Sequence, residues 1–183
     1  MEIFDNIAIS SRIRLARNVE GLKFYTKLDS DIDAKYITNS VMKTLEKFDV
    51  FNFMSLKSLS LNECNALFEK HLISKELIEN KDISGVAISE DEMIIVMINE
   101  EDHIREQCLE KGFNLYKPYR RISKIDDEIL RSLPIAFDKD LGFITASPSN
   151  LGTGMRASVM LFLPAFKLCG KIEDIITRAK ENG

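Results

Sequence analysis

Tryptophan is missing from this chain of 183 residues, histidine occurs twice and cysteine three times. The cysteines, Cys64, Cys108 and Cys169, form no C-x-x-C pair and leave an odd count. That argues against a disulfide scaffold or a zinc site and for a reducing, cytoplasmic setting. No apolar run reaches membrane-spanning length, so no membrane partner is expected. The N-terminal MEIFDNIAISS lacks the basic-then-apolar layout of a signal peptide. Internal repeats, low-complexity tracts and linker-like stretches are missing as well. A net charge of −4 removes general nucleic-acid affinity as the default expectation. The loop Ser147-Pro148-Ser149-Asn150-Leu151-Gly152-Thr153-Gly154 is not followed by Gly-Lys-Ser/Thr, so it is no P-loop. Its glycine spacing also fails the dinucleotide-binding fingerprint.

What is present suffices for one domain with a real core: 45% of residues are hydrophobic and 30% charged. Asn6–Ser10 alternates as a first strand. Asp31–Phe48 places Ala34, Ile37, Val41, Leu45 and Phe48 on one helical face. Phe51–Leu59 is β-like. Ser60-Leu61-Asn62-Glu63 has capping-box spacing, which predicts a short helix to about Lys70. Ser74–Asn80 reads as a helical turn or two. Gly85–Ser89 and Met93–Asn99 flank the polar turn Glu90-Asp91-Glu92 as a hairpin. Asp102–Cys108 is open between helix and half-buried strand. Asn114–Leu133 predicts a long helix with Pro118 in an early, tolerated turn. Leu141–Ala146 and Met155–Leu163 read as strands. Ile172–Lys180 reads as a closing helix with Ile172, Ile175, Ile176 and Ala179 inward. Hairpins with helices inserted between them predict an α+β fold around a mainly antiparallel sheet flanked by helices.

Three constellations carry chemistry. In Ser10-Ser11-Arg12-Ile13-Arg14 an extended chain sends both arginines to one side, where planar guanidinium forks suit phosphate oxygens. The plainer alternative is a solvated edge strand guarded by its charges. Asn99-Glu100-Glu101-Asp102-His103-Ile104-Arg105 gathers carboxylates at the end of an apolar strand, suited to a cationic substrate or, alternatively, a mere acidic turn. His103 has no partner at ligand spacing, so no metal site of protein side chains is expected. Ser147–Gly154 delivers Arg156 into a strand, or else simply connects two strands. Cys64 and Cys108 fit buried apolar positions better than nucleophiles.

Taken together, Ser10–Asn18, Asn99–Arg105 and Ser147–Ala157 resemble, in order and content, three blocks of the ATP:guanidino phosphotransferase family. The likeness covers about Asn6 to Leu163 and is closest to the bacterial protein-arginine kinase (McsB) branch. The resemblance implies the family's glutamine synthetase-like catalytic domain over residues 1–183, with the later strands and C-terminal domain lacking. It implies phosphoryl transfer from ATP to a guanidinium, most of all a protein arginine, with Mg²⁺ held mainly through the nucleotide. Ser10, Arg12, Arg14, His71, Arg105 and Arg156 would hold the nucleotide. Glu101 would grip the guanidinium and accept its proton, with Glu100 as a second carboxylate. Ser147 stands where the family usually has cysteine, so a neutral hydroxyl replaces a thiolate at the acceptor side. The expected partners are ATP, arginine side chains of protein substrates and an activator of the McsA type, with self-association through an exposed edge near Met155–Leu163. Alternatively, the chain is a weakly active or inactive nucleotide- or arginine-binding module. A nucleic-acid binder using Arg12, Arg14 and Arg17 is disfavoured by the acidic balance.

Overall fold

In the computed structural model, residues 7–24 and 31–181 are described. Among them, alternating segments assemble a six-stranded antiparallel sheet in the order β2-β3-β4-β5-β1-β8. These strands are β1 (Ala8–Arg17), β2 (Phe51–Ser55), β3 (Gly85–Ser89), β4 (Ile94–Ile98), β5 (Ile104–Lys111) and β8 (Met155–Leu161). β6 (Phe137–Asp138) and β7 (Gly142–Phe143) form a separate small pair. Asn6, where the first strand was expected to begin, lies outside the described residues. The expected strand Leu141–Ala146 shrinks to the two residues of β7. Of the ambiguous Asp102–Cys108, Ile104–Cys108 resolves as strand within β5, while Asp102 and His103 belong to the turn before it.

Strand alternation sends residues to two faces. One face carries Ala87, Val96, Ile98 and Ile104. It is covered by α1 (Asp31–Leu45) and α4 (Tyr116–Ser132) through Ile37, Val41, Leu45, Ile125 and Ile129. The predicted stripe of α1 is the buried one, although the helix ends at Leu45 and Phe48 instead meets Phe51 edge-on. The other face carries Val86, Ile88, Ile95 and Met97. These pack with Cys64 of α2 (Leu61–Glu69) and Leu77 of α3 (Lys75–Glu79). α2 starts at the expected capping box, in which Glu63 N–H donates to Ser60 Oγ and the Ser60 N–H donates to Glu63.

The helices of the second face sit over β3 and β4 and reach β2 and β5 at Met54 and Leu109. Over β1 and β8 none of the described helices joins this packing, and this is the face to which Arg12 and Arg14 point. β1 lies between β5 and β8, so the solvated-edge alternative for its arginines does not hold. α5 (Pro164–Leu168) and α6 (Ile172–Glu181) follow β8. The helix expected at Ile172–Lys180 is present, but its apolar face is not inward. Ile172 and Ile175 are half-buried, and Ile176 and Ala179 are exposed, because neither the sheet nor another described helix covers that face.

Candidate active site

Antiparallel register fixes who meets whom on the open face. Arg14 stands opposite Gln107 of β5 and Arg156 of β8, while Arg105 stands opposite Ala16. Directly opposed residues share a face, so Arg12, Arg14, Arg105 and Arg156 form one cationic cluster. Among the described residues, Arg12, Arg14 and Arg156 have no carboxylate within ion-pairing distance. Arg14 Nε is buried without a partner. Burial, and then the charges of Arg12, Arg105 and Arg156, bring the Arg14 guanidinium down to about 10. Burial followed by Arg105 and Arg156 also lowers Arg12. An anion supplied from outside would relieve this crowding.

Arg105 is the exception. It is ion-paired with Glu100, whose side chain is 1% exposed. Burial opposes ionisation of Glu100, but the hydrogen bond and charge of Arg105 outweigh it and hold the carboxyl below its ordinary range. Glu100 also accepts from the Glu101 N–H at 3.1 Å. Its capacity is therefore spent inside the protein. Glu101, the next residue, remains partly open to the cleft. Burial, then the charges of Asp102 and Glu100, raise its carboxyl above the usual range.

The turn carrying these carboxylates is locked from behind. Asn99, at φ 59° in the left-handed region that asparagine tolerates, donates from its amide to Ala34 O at 3.1 Å and Ile83 O at 2.9 Å. Asp102 Oδ1 accepts from Asn18 Nδ2 at 2.6 Å and from the Ala146 N–H at 2.7 Å. It thereby ties the carboxylate turn both to β1 and to the segment leading into Ser147. His103 is buried: Val19 N–H donates to its Nδ1, so Nε2 carries the proton and donates to Lys23 O at 2.8 Å. Burial lowers its pKa, which fits a neutral ring used as a strut.

On the opposite wall, Ser147 Oγ and Ser149 Oγ lie 2.9 Å apart. The loop then passes Thr153 and Gly154 and enters β8 at Met155. Gly154 has φ 62°, and a Cβ there would fall on Arg17 Nη1 and lie 2.7 Å from Ala16 O. Only glycine lets the loop run so close to β1.

The structure brings Arg14, Arg105, Arg156, Glu100, Glu101 and Ser147 into one cleft of about 220 Å³. Ser10, Arg12 and His71 line an adjoining hollow of about 490 Å³ together with Gln107, Val159 and Met160. A third space of about 510 Å³, edged by Glu76 and Glu79 of α3, opens from Glu100 and Glu101 on the far side. Arg17, which the sequence groups with the other arginines, does not join them. It is buried and bonded to Asp126 of α4 through two 2.8 Å contacts, so it is unavailable to a nucleic acid. Sequence reasoning counted Asp102 among the clustered carboxylates but gave no individual role to it, nor any to Asn18, Gln107 or Asp126. For Asp102 and Asn18 the available signal was their place inside the singled-out blocks; for Asp126 there was none.

Residues 33–183 match the model of the ATP:guanido phosphotransferase C-terminal catalytic domain. The chain is 42% identical to a protein-arginine kinase of Clostridium acetobutylicum, covering 98% of this chain and 54% of that protein. It is 43% identical to that of Clostridium kluyveri, covering 97% and 52%. The chain thus spans about half the length of these relatives. The substrate-free duplicated taurocyamine kinase from Schistosoma mansoni superimposes with a TM-score of 0.78 at 32% identity, over 86% of this chain and 24% of that one. Lombricine kinase shares the fold, with a TM-score of 0.79 at 24% identity over 94% and 52% of the two chains.

Proposed function

Since the chain belongs to the ATP:guanido phosphotransferase family, we propose that its open sheet face moves the γ-phosphoryl group of ATP to the guanidinium of a protein-borne arginine. The observation that carries this is the set Arg12, Arg14 and Arg156, clustered without carboxylate partners and adjoining the exposed Glu101. Phosphoryl transfer asks the protein mainly for positioning and charge stabilisation. Three unpaired arginines supply both for a triphosphate, and they cost no reorganisation when charge develops on the transferring group. Ser10, His71, Val159 and Met160 line the adjoining hollow, a polar-and-apolar setting suited to the sugar and base.

On the acceptor side, Glu101 orients the cationic guanidinium and accepts a proton from the attacking nitrogen as the N–P bond forms. Glu100 keeps Arg105 in place. The Ser147 hydroxyl adds a neutral hydrogen-bonding group. The space beyond Glu101, bordered by Glu76 and Glu79, gives a polypeptide bearing the arginine somewhere to lie. The donor set of the cleft suits magnesium only as part of the nucleotide, because four arginines repel a bare cation. Mg²⁺ on the phosphates would add charge neutralisation beside those arginines. The same reading includes a cytoplasmic setting, where ATP and reduced thiols are found; among the described residues no helix is long and apolar enough to cross a membrane. It also includes an activator protein of the McsA type and self-association through the outer edge of β8. Incubation with Mg-ATP and an arginine-rich protein, assayed for acid-labile phosphoarginine, tests the proposal. Product that forms with the native chain and disappears with Glu101→Gln supports it. Hydrolysis of ATP without phosphoarginine sinks it.

A further inference from the structure

Behind the site, the Arg17–Asp126 pair is closed in charge and nearly closed in hydrogen bonds. Arg17 gives Nε and Nη2 to the two oxygens of Asp126. Its Nη1 donates to Ala16 O at 2.8 Å and to Thr153 O at 3.1 Å, and its guanidinium lies 3.8 Å over the Phe143 ring. One arginine therefore ties α4 to the last turn of the loop that delivers Arg156.

A third ionisable group intrudes on this pair. Glu106 of β5 stands opposite Leu15 and Val96, so it faces the helix-covered side of the sheet. It is fully buried, and neither of its carboxylate oxygens receives a donor. The charged groups facing it are Arg17 from β1 and Asp126 from α4. Its β1 and β4 partners, Leu15 and Val96, are apolar. Ionised, Glu106 would leave a net negative charge in the core with no donor on either of its oxygens, an arrangement that a protein interior resists strongly. Protonated, it becomes a donor, and the acceptor within its reach is Asp126.

We propose that Glu106 is a positioning residue that works as a neutral carboxylic acid, hydrogen-bonding to Asp126 and so holding Arg17 against the Thr153–Gly154 backbone that leads into Arg156. Loss of the proton sets two carboxylates competing for one guanidinium, and the bond from Arg17 Nη1 to Thr153 O is the one released. Burial, reinforced by the charge of Asp126, raises the Glu106 carboxyl well above its ordinary range. A carboxyl raised on folding gives stability that is complete below the ordinary carboxylate pKa and is lost as pH rises toward the folded value. The inference rests on the proposed function only in taking Arg156 to face phosphate.

The test is carboxyl ¹³C NMR of the full chain, with glutamate labelled, titrated from pH 5 to pH 9. One glutamate carbon should keep its protonated shift to a pH above the ordinary glutamate range and be missing from Glu106→Gln. The amides of Thr153 and Gly154 should move with the midpoint of that carbon. Relative to Glu106→Gln, the folding equilibrium constant of the native chain should fall by up to tenfold per pH unit across the same window. Mg-ATP affinity should weaken with rising pH in the native chain and lose that component in Glu106→Gln. Glutamates that all titrate in the ordinary range would overturn the proposal. So would a protonated Glu106 whose titration leaves Thr153 and Gly154 unmoved. These carboxyl and amide readouts need no nucleotide, so they still decide the question if Mg-ATP fails to bind and the functional reading falls.

Discussion

Glu101 and Glu100 are adjacent carboxylates with opposite fates, and the difference is local. Glu100 turns inward to Arg105 and is held ionised below the normal range; Glu101 turns to the cleft and is raised. A base must be ionised to accept a proton, so phosphoryl transfer should fall as pH drops through a carboxyl range displaced upward from the ordinary one. Glu101→Gln keeps the shape and loses both charge and basicity. It should reduce transfer by on the order of 10²-fold or more, abolish that acid limb and leave Mg-ATP affinity nearly unchanged. A pH–rate profile beside a calorimetric titration measures both, and an undiminished rate would remove Glu101 from the mechanism. Arg156 invites a different substitution, because it stands directly opposite Arg14. Arg156→Gln should weaken Mg-ATP binding by roughly tenfold or more, the worth of one charge-assisted bond. The same change should raise the unfolding temperature of the free chain, since like charges opposed across strands cost about 0.2–1 kcal/mol. A variant that is less stable without ligand would show that the cluster is not strained.

At the scale of elements, what the chain reveals about itself depends on how local the controlling physics is. The capping box at Ser60, the α1 stripe and the hairpin around Glu90–Glu92 were legible because neighbours in sequence determine them. Arg12 and Arg14 could be placed on one side of a strand from their spacing, but whether that strand lay at an edge or inside the sheet could not. That depended on pairing with β5 and β8, many residues away. The grouping of the six cleft residues was legible only through likeness to a family, because no spacing rule joins Arg14, Glu101 and Arg156. Asp126 and Glu106 were invisible for the same reason: each looks like one more charge on an amphipathic segment until α4 docks on the sheet. Asp102–Cys108 stayed ambiguous because both its faces are buried, which erases the polar alternation that marks a half-exposed strand. Gly154 tests how far the loop depends on its setting. Gly154→Ala forces a side chain into a left-handed backbone position already occupied by Arg17 and Ala16. A loss of about 1–3 kcal/mol in thermal or denaturant unfolding is expected, with weaker Mg-ATP binding alongside. Stability and affinity both unchanged would mean that the loop finds another path.

For the molecule as a whole, the sheet ends differently at its two sides. β2 is short and mixes half-buried with exposed residues beside the helical layers. β8 is longer, carries mostly exposed side chains and pairs only with β1 among the described strands. Apolar surface is open on β8 itself, where Met160 is 60% exposed, and on the chain that continues from it, where Phe162 is 62% and Leu168 89% exposed. An open strand edge offers unpaired N–H and C=O groups to any second strand, and an adjacent apolar patch adds a driving force that is indifferent to partner. The charges that usually guard an edge are sparse here, because Arg156 is the single charged residue in β8 and it faces the cleft. These features predict self-association that grows with protein concentration and persists at high salt, since apolar contact and backbone pairing are little screened. Leu161→Lys places a charge on the edge at a position that does not line the nucleotide hollow, and it should shift the equilibrium towards monomer while leaving Mg-ATP affinity intact. Sedimentation velocity across a hundredfold range of concentration distinguishes the outcomes. A native chain that stays monomeric throughout, or a Leu161→Lys variant that associates as strongly as the native chain, would show that the β8 edge is not the surface responsible.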